Sequence, residues 1–134
     1  MTNRRLAHLL GRVALGLNIA LHGLLRLPHL AEFSQGLRTK FSGTFLPGDL
    51  VVASGYGIVI GEAVIGLLLL SGFWQRSVLV AGLLLMMVLT FGTCVQQDWA
   101  TAGTQLIYTA FYAVLLATLP DPPTERPPPV AMSE

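Results

Sequence analysis

The sequence predicts an all-α protein: an integral membrane four-helix bundle with an amphipathic interfacial segment in its first loop. Of its 134 residues, 53% are hydrophobic and only 11% are charged, whereas a soluble domain carries about 25% charged residues. The apolar residues fall in four blocks, each close to the roughly 20 residues that a helix needs to cross a bilayer. Strand edges cannot be hydrogen-bonded in lipid, so each block is predicted to be a helix.

The predicted spans are residues 6–27, 50–70, 77–95 and 103–119, which together form one domain of residues 1–119. The first span resembles a secretory signal because two arginines precede it. Polar residues interrupt it and no Ala-x-Ala site follows, so we expect it to be retained. Residues 120–134 are rich in proline, which favours an extended tail.

The positions of lysine and arginine predict the orientation. Arg4, Arg5, Arg76 and Arg126 lie on the side of the two termini, and only Arg38 and Lys40 lie on the other. Because positive residues are enriched in cytoplasmic loops, we predict that both termini, including the tail, are cytoplasmic.

The first loop, residues 28–49, is much longer than the other two. Within it Leu30, Phe33, Leu37 and Phe41 recur at helical spacing, with polar residues between them. This pattern predicts an amphipathic segment at the membrane surface. The segment is either a cap over the outer mouth of the bundle or a plain interfacial anchor.

The first span carries a polar stripe. At about 100° per residue, its strongly polar side chains share roughly 140° of arc; they are Arg5, His8, Arg12, Asn18, His22 and Arg26. A charge facing lipid at mid-bilayer costs about 2.5–3.5 kcal/mol, so the stripe is expected to face the interior. Snorkelling to the membrane surface is the alternative for the residues near the span ends.

The second span contains one acid, Glu62, near its middle. A buried carboxylate needs a cation or hydrogen-bond donors, and the candidates are Arg12, His22 and Arg26. Two interpretations stay open: a structural ion pair between spans one and two, or a proton-handling acid beside a ligand.

Spans three and four carry weaker polarity at helical spacing. The residues are Thr90, Thr93, Cys94 and Gln97 in one span, and Gln105, Tyr108, Thr109 and Tyr112 in the other. Hydrogen bonds between the helices are one explanation. Tyr108 and Tyr112 otherwise face a ligand head group or lie in the interfacial aromatic belt.

Several classes of function are excluded or disfavoured. The single cysteine, Cys94, excludes a disulfide framework and a cysteine-ligated metal, and we expect no metal site. A net charge of +1 with few charged residues disfavours nucleic-acid binding. His8 and His22 share a face, but spans two to four offer no second axial histidine, so we do not expect haem.

Three local patterns, in this order, resemble the DoxX family of small bacterial membrane proteins. They are His22-Gly23-Leu24-Leu25-Arg26-Leu27, the pair Glu62 and Gly66, and Gly72-Phe73-Trp74-Gln75-Arg76. The family usually has lysine where this chain has Arg26, which keeps the charge but changes the donor geometry. The resemblance covers about residues 6–118.

The resemblance implies a membrane subunit of a quinone-linked redox system in the bacterial inner membrane, because the family includes the membrane subunit of thiosulfate:quinone oxidoreductase. On this hypothesis Glu62 and His22 are the catalytic residues. Glu62 exchanges a proton, with Arg12 as its counter-charge. The candidate quinone contacts are Arg12, Arg26, Tyr108 and Tyr112.

Two other functions stay open. One is a non-catalytic accessory subunit that packs against a larger respiratory or photosynthetic complex, which the glycine-rich helices also suit. The other, a small-solute transporter, is weaker, because four helices without an internal repeat offer little machinery for alternating access. Besides lipid, the expected partners are other subunits or a second copy of the chain. An enzyme subunit should hold its polar stripe around a cavity containing Glu62, whereas an accessory subunit can have every polar group paired.

Overall fold

The structure, a computed structural model, describes residues 1–119, and the predicted tail lies outside the described residues. The helices are α1 (Asn3–Arg26), α2 (Leu30–Lys40), α3 (Gly48–Ser71), α4 (Gln75–Val95) and α5 (Trp99–Ala117), with a 3₁₀ turn at Leu27–His29 between α1 and α2. The described part of the chain contains no strand. Helices α1, α3, α4 and α5 are long and apolar enough to cross a membrane, which confirms the predicted all-α class with four spans.

All four spanning helices begin earlier than the apolar blocks predict. The difference is largest for α1 and α5, at three and four residues, because polar caps precede those two blocks. The hydroxyl of Thr2 accepts the backbone N–H of Arg5 (3.4 Å), and α1 begins at Asn3. The carboxylate of Asp98 accepts the backbone N–H of Thr101 (3.1 Å), and α5 begins at Trp99. Side-chain caps of this kind satisfy N–H groups that have no partner inside the helix.

Small residues bring α1 and α3 into direct backbone contact. Gly16, Ala20 and Gly23 on α1 face Ala63 and Gly66 on α3. A Cβ atom added at Gly23 would overlap the Ala63 backbone, and one added at Gly66 would overlap the Ala20 backbone. In lipid the hydrophobic effect does not drive helices together, so close packing of this kind is what stabilises a helix pair. These contacts fix the register between the two helices.

The interior between the four spanning helices is filled at the level of Tyr112. This side chain is fully buried and packs on Gly82 of α4, where a Cβ would overlap its ring. The surrounding core is aliphatic and contains Leu15, Ile19, Leu69, Val78, Leu79, Met86 and Leu115. The outer faces of the same helices are apolar and exposed, as lipid contact requires.

The predicted amphipathic segment is helix α2, which folds back along the first half of α3. Ser34 is fully buried where α2 crosses Gly55, and a Cβ at Gly55 would lie 2.9 Å from the Ser34 hydroxyl oxygen. At the far end of α2, Arg38 forms an ion pair with Asp49 of α3 (3.2 Å). The α2 helix is therefore part of the bundle as well as a cover over one end of it.

Candidate functional site

A cavity of about 500 Å³ lies at the end of the bundle that α2 covers. All five helices contribute to its wall, which is mostly apolar and includes the aromatic rings of Phe33 and Phe41. The polar side chains that line it are Asn18, His22, Arg26, Ser54, Glu62, Thr93, Gln96, Thr101, Thr104, Gln105 and Tyr108. An apolar chamber with a few convergent polar groups is the usual form of a small-molecule site.

An ion pair between α1 and α3 stands in the cavity wall. Arg26 Nη1 donates to Glu62 Oε2 at 2.8 Å. The Glu62 side chain is 4% exposed and that of Arg26 is 36% exposed. A buried carboxylate is tolerated when a cation and hydrogen bonds compensate its lost hydration. Arg26 supplies both, so the carboxylate reaches the cavity as one half of a charge-assisted pair.

A second contact holds Arg26 in place. Its guanidinium lies over the ring of Phe33 on α2, 4.9 Å from the ring centre, a distance at which cation–π attraction operates. Arg26 thus joins three helices: it belongs to α1, pairs with Glu62 of α3 and stacks on Phe33 of α2. Movement of α2 would change the position of the ion pair.

His22 and Asn18 lie one helical turn apart in the same wall. His22 Nδ1 donates to the backbone carbonyl of Asn18 (2.9 Å), which leaves Nε2 for a ligand. The Asn18 side-chain oxygen is buried and has no hydrogen-bond partner among the described residues. Both residues therefore offer hydrogen-bonding capacity that the protein itself does not use.

The opposite wall combines α4 and α5. The Thr93 hydroxyl donates to Gln105 Oε1 at 2.8 Å, a hydrogen bond between the two helices. Tyr108 follows Gln105 on the same face of α5 and also lines the cavity. The predicted polar wall of spans three and four is therefore held by an interhelical hydrogen bond and also faces the cavity.

We call this region the cavity end, defined by His22, Arg26 and Glu62. The opposite end of the bundle, which we call the closed end, also carries polar residues: His8, Arg12, Gln75 and Thr118. There His8 Nδ1 is hydrogen-bonded to the Thr118 hydroxyl (3.2 Å), and His8 Nε2 is hydrogen-bonded to the side-chain oxygen of Gln75 (3.3 Å).

Arg12 belongs to the closed end, and the expectation that it is the counter-charge of Glu62 is wrong. Its guanidinium donates to the backbone carbonyl of Leu69 and lies against Gly72, which ends α3 with a φ of +80°. Arg12 and Arg26 are 14 residues apart on one helix, or about 21 Å along its axis. The glycine contacts between α1 and α3 place Arg26, not Arg12, level with Glu62.

The six candidate site residues divide into two groups. His22, Arg26, Glu62 and Tyr108 line the cavity, whereas Arg12 and Tyr112 do not. Tyr112 lies in the core against Gly82, and its hydroxyl has no hydrogen-bond partner among the described residues. The sequence does not indicate Phe33 as a site residue, because its contact with Arg26 depends on how α2 folds back, which no local pattern predicts. Asn18 also lines the cavity, and its place in the polar stripe of the first span is the sequence signal that indicates it.

Within residues 1–119, no three histidine, cysteine, aspartate or glutamate side chains are grouped so that they could hold a metal ion. The side chains at the cavity end suit an uncharged or weakly charged organic ligand. Such a ligand would meet a carboxylate–guanidinium pair, an imidazole nitrogen and an amide, with aromatic walls around them.

The sequence pattern that defines the DoxX family matches residues 7–95, which is more than half of the chain and extends from α1 to the end of α4. No curated protein matches the chain significantly. No solved structure matches it significantly either.

Proposed function

This chain belongs to the DoxX family and is a multi-pass membrane protein, and we propose that it is a quinone-binding subunit of a membrane redox system. The observation that carries the proposal is the ion pair between Arg26 and Glu62, placed in the wall of a largely apolar cavity. An ion pair with a purely structural role would need no cavity beside it.

The residues at the cavity end fit the chemistry of a quinone. A quinone head group is flat and apolar except for two carbonyl oxygens, so it needs hydrogen-bond donors at its edge and apolar walls elsewhere. Arg26 and the Asn18 amide are candidate donors on the α1 side, and Tyr108 is a candidate on the α5 side. The buried, unpaired oxygen of Asn18 is an acceptor, so it suits the hydroxyl group of the reduced quinol.

A bound quinone would supply the electron-accepting chemistry, in which two electrons and two protons are taken up at the ring oxygens. The chain contributes binding and the handling of protons. Glu62 is nearly excluded from solvent, so a proton that reaches its carboxylate converts a charged pair with Arg26 into a neutral acid beside a cation. The pair also holds the guanidinium in the cavity wall, where its N–H groups that do not meet Glu62 can donate to a ligand oxygen. His22 offers Nε2 as the second group that can hold a proton in the cavity wall.

Arg12 and Tyr112 lie outside the proposed site. In a purely structural accessory subunit, polar groups are expected to be hydrogen-bonded to one another with no cavity beside them. The closed end, where Arg12, His8, Gln75 and Thr118 are hydrogen-bonded, has this form. The cavity end departs from that pattern. We therefore favour the quinone-binding function over a purely structural one.

We further propose that the protein resides in the bacterial inner membrane with both termini cytoplasmic. The closed end carries Arg4, Arg5 and Arg76 near it, as the positive-inside rule favours for a cytoplasmic face. The cavity end would then lie in the outer half of the membrane, and an electron donor would approach from that side.

The proposal is tested by equilibrium binding of a short-tailed ubiquinone analogue to the protein in lipid nanodiscs. We expect saturable binding at one site per chain and at least about tenfold weaker binding by Glu62→Gln, because the neutral amide no longer holds the Arg26 donor in the cavity wall by a charge-assisted hydrogen bond. A hydrogen bond to a charged group is worth about 1.5–3 kcal/mol. Glu32→Gln is the matched control, because Glu32 is an exposed acid that pairs with His29 and does not line the cavity. Absence of saturable binding, or equal binding by Glu62→Gln and the wild type, would refute the proposal.

A further inference from the structure

The face of α1 that meets α5 is a regular seam. His8, Gly11, Leu15, Asn18 and His22 recur at alternating intervals of three and four residues, so they lie in one row along the helix. A row with this spacing is the pattern by which two helices pack along their whole length. Here the two helices pack along only part of it.

At the closed end the seam is in contact with α5. His8 is hydrogen-bonded to Thr118, and a Cβ at Gly11 would lie 3.3 Å from the side chain of Leu115. Leu15 and Leu115 then belong to the same buried core. The packing between the helices is continuous through this half of the seam.

At the cavity end the same seam is separated from α5 by space. Asn18 and His22 line one wall of the cavity, and Gln105 and Tyr108 of α5 line another. These four side chains occupy the positions at which the two helices would otherwise touch. The interhelical contact therefore opens at Asn18 into the cavity.

The polar row at this opening also borders the outside of the bundle. A shallow groove on the surface of α1 is lined by Asn18, Leu21, His22, Leu25 and Arg26. Leu21 is 45% exposed and Leu25 is 71% exposed, so the groove lies on the apolar face that lipid covers. Its three polar residues are the ones that line the cavity from α1. One row of side chains thus separates the interior space from the hydrocarbon.

The aqueous side of the cavity is covered in part by α2. Helix α2 lies across it, with the rings of Phe33 and Phe41 in the wall and Phe41 only 8% exposed. Arg26 is held under this cover by Phe33 and Glu62. An apolar ligand therefore meets less obstruction from the side of the membrane than from the side of water.

We propose that the gap between α1 and α5 at Asn18, His22, Gln105 and Tyr108 is a lateral portal to the bilayer. The head group of a membrane-dissolved ligand passes through it into the cavity, and the apolar tail of that ligand stays among the lipid chains. That the ligand is an isoprenoid quinone rests on the proposed function; the existence of the portal does not. The portal gives the exposed His22 a role, since a polar side chain at a lipid-facing surface is otherwise unfavourable.

The portal is tested by fluorescence quenching in phosphatidylcholine vesicles whose acyl chains carry bromine. The two native tryptophans are exposed and lie outside the helix interiors, so Trp74→Phe with Trp99→Phe gives a background without tryptophan. In that background Tyr108→Trp places the reporter in the cavity wall, and Leu106→Trp places it on the lipid-facing surface of the same helix, where Leu106 is 58% exposed.

We expect Tyr108→Trp to lose nearly as much fluorescence in brominated vesicles as Leu106→Trp, and to lose little when iodide is added to the water. Strong quenching by iodide with little by bromine would mean that the cavity opens to water, and protection from both quenchers would mean that it is sealed; either result overturns the portal. Gln105→Trp, at a half-buried position in the same wall, is a second reporter if Tyr108→Trp does not fold. No quinone is present in this experiment, so an open portal together with failed quinone binding would refute the proposed function alone.

Discussion

The closed end and the cavity end are built from the same residue types on one helix. Each has a histidine and an arginine of α1 four residues apart: His8 with Arg12, and His22 with Arg26. At the closed end the arginine meets a backbone carbonyl and the histidine meets two side chains. At the cavity end the arginine meets a buried carboxylate, and one histidine nitrogen is left for a ligand.

This contrast shows that the residues around the polar stripe of α1, and not the stripe itself, determine which end of the bundle can bind a ligand. The tight α3–α4 turn at Gly72 brings a free carbonyl within reach of Arg12. At the other end a longer connection, with α2 inside it, carries Phe33 to Arg26 and leaves space below. At the closed end the charge of Arg12 stabilises a turn, whereas at the cavity end the charges of Arg26 and Glu62 lie beside a cavity.

The largest expected effect distinguishes the two arginines. Removal of one partner from a buried ion pair costs about 3–5 kcal/mol, so we expect Arg26→Gln to lower the free energy of unfolding strongly. A second change, Glu62→Gln, should restore much of that loss because it removes the uncompensated charge. The same second change should not rescue Arg12→Gln, whose lost partner is a backbone carbonyl.

The measurement for these two cycles is the free energy of unfolding of the wild type, the three single variants and the two double variants in mild detergent, monitored by circular dichroism. The non-additive coupling energy should appear for Arg26 with Glu62 and be near zero for Arg12 with Glu62. Coupling of Glu62 to Arg12 instead would contradict the register described for α1 and α3.

The next effect concerns the contact that positions both ends. Gly66→Ala would place a methyl group into the Ala20 backbone, and overpacking of this kind costs about 1–3 kcal/mol. Gly57→Ala is the matched control on the same helix, because a Cβ there meets no atom within 4 Å. Thermal unfolding should show a clear loss for Gly66→Ala and none for Gly57→Ala. Equal behaviour of the two variants would mean that α1 and α3 are not in backbone contact.

A smaller effect separates the two histidines by function. His22→Ala should weaken binding of a short-tailed ubiquinone analogue by about threefold to tenfold, since a hydrogen bond contributes about 0.5–1.5 kcal/mol. His8→Ala should leave that affinity unchanged and lower the midpoint of thermal unfolding, because it removes two contacts at the closed end. The reverse assignment of the two effects would break the distinction between the ends.

Features that depend on one segment of the chain are predictable from the sequence, whereas features that depend on contacts between helices are not. The four spans are predictable because each is an apolar block of nearly membrane length. The starts of α1 and α5 are less so, since the caps Thr2 and Asp98 stand outside those blocks. The wrong partner for Glu62 has a similar cause: either arginine lies on the correct face, and the choice depends on the depth at which Gly23 meets Ala63.

Tyr108 and Tyr112 show the same limit within one helix. They are one turn apart on α5 and share a face, so periodicity treats them alike. Gly82 on α4 leaves room for the Tyr112 ring and draws it into the core. Tyr108 has no such partner and lines the cavity. The sequence of α5 alone does not show which of its tyrosines lies opposite a small residue of α4. That depends on how the two helices are aligned.

The smallest expected effect is a pH dependence at the turn between α4 and α5. Hydrogen bonds from the side chain and backbone of Thr101 lower the pKa of the Asp98 carboxyl below its usual value. Because the folded pKa lies below the unfolded one, this stabilisation is present above the unfolded pKa and is lost as the pH falls through the folded pKa. We expect Asp98→Ala to lower the thermal midpoint near neutral pH, with a difference that shrinks in strong acid. A difference that grows in acid would contradict the cap.

The central claim is that the cavity end, with Glu62 in its wall, holds a quinone. The most direct test is to purify the protein from native membranes in mild detergent and to quantify extracted quinone by mass spectrometry. We predict near-stoichiometric quinone for the wild type and for Glu32→Gln, and a marked loss for Glu62→Gln. A fixed-ratio complex with other proteins and no quinone that depends on Glu62 would contradict the claim and make the chain an accessory subunit.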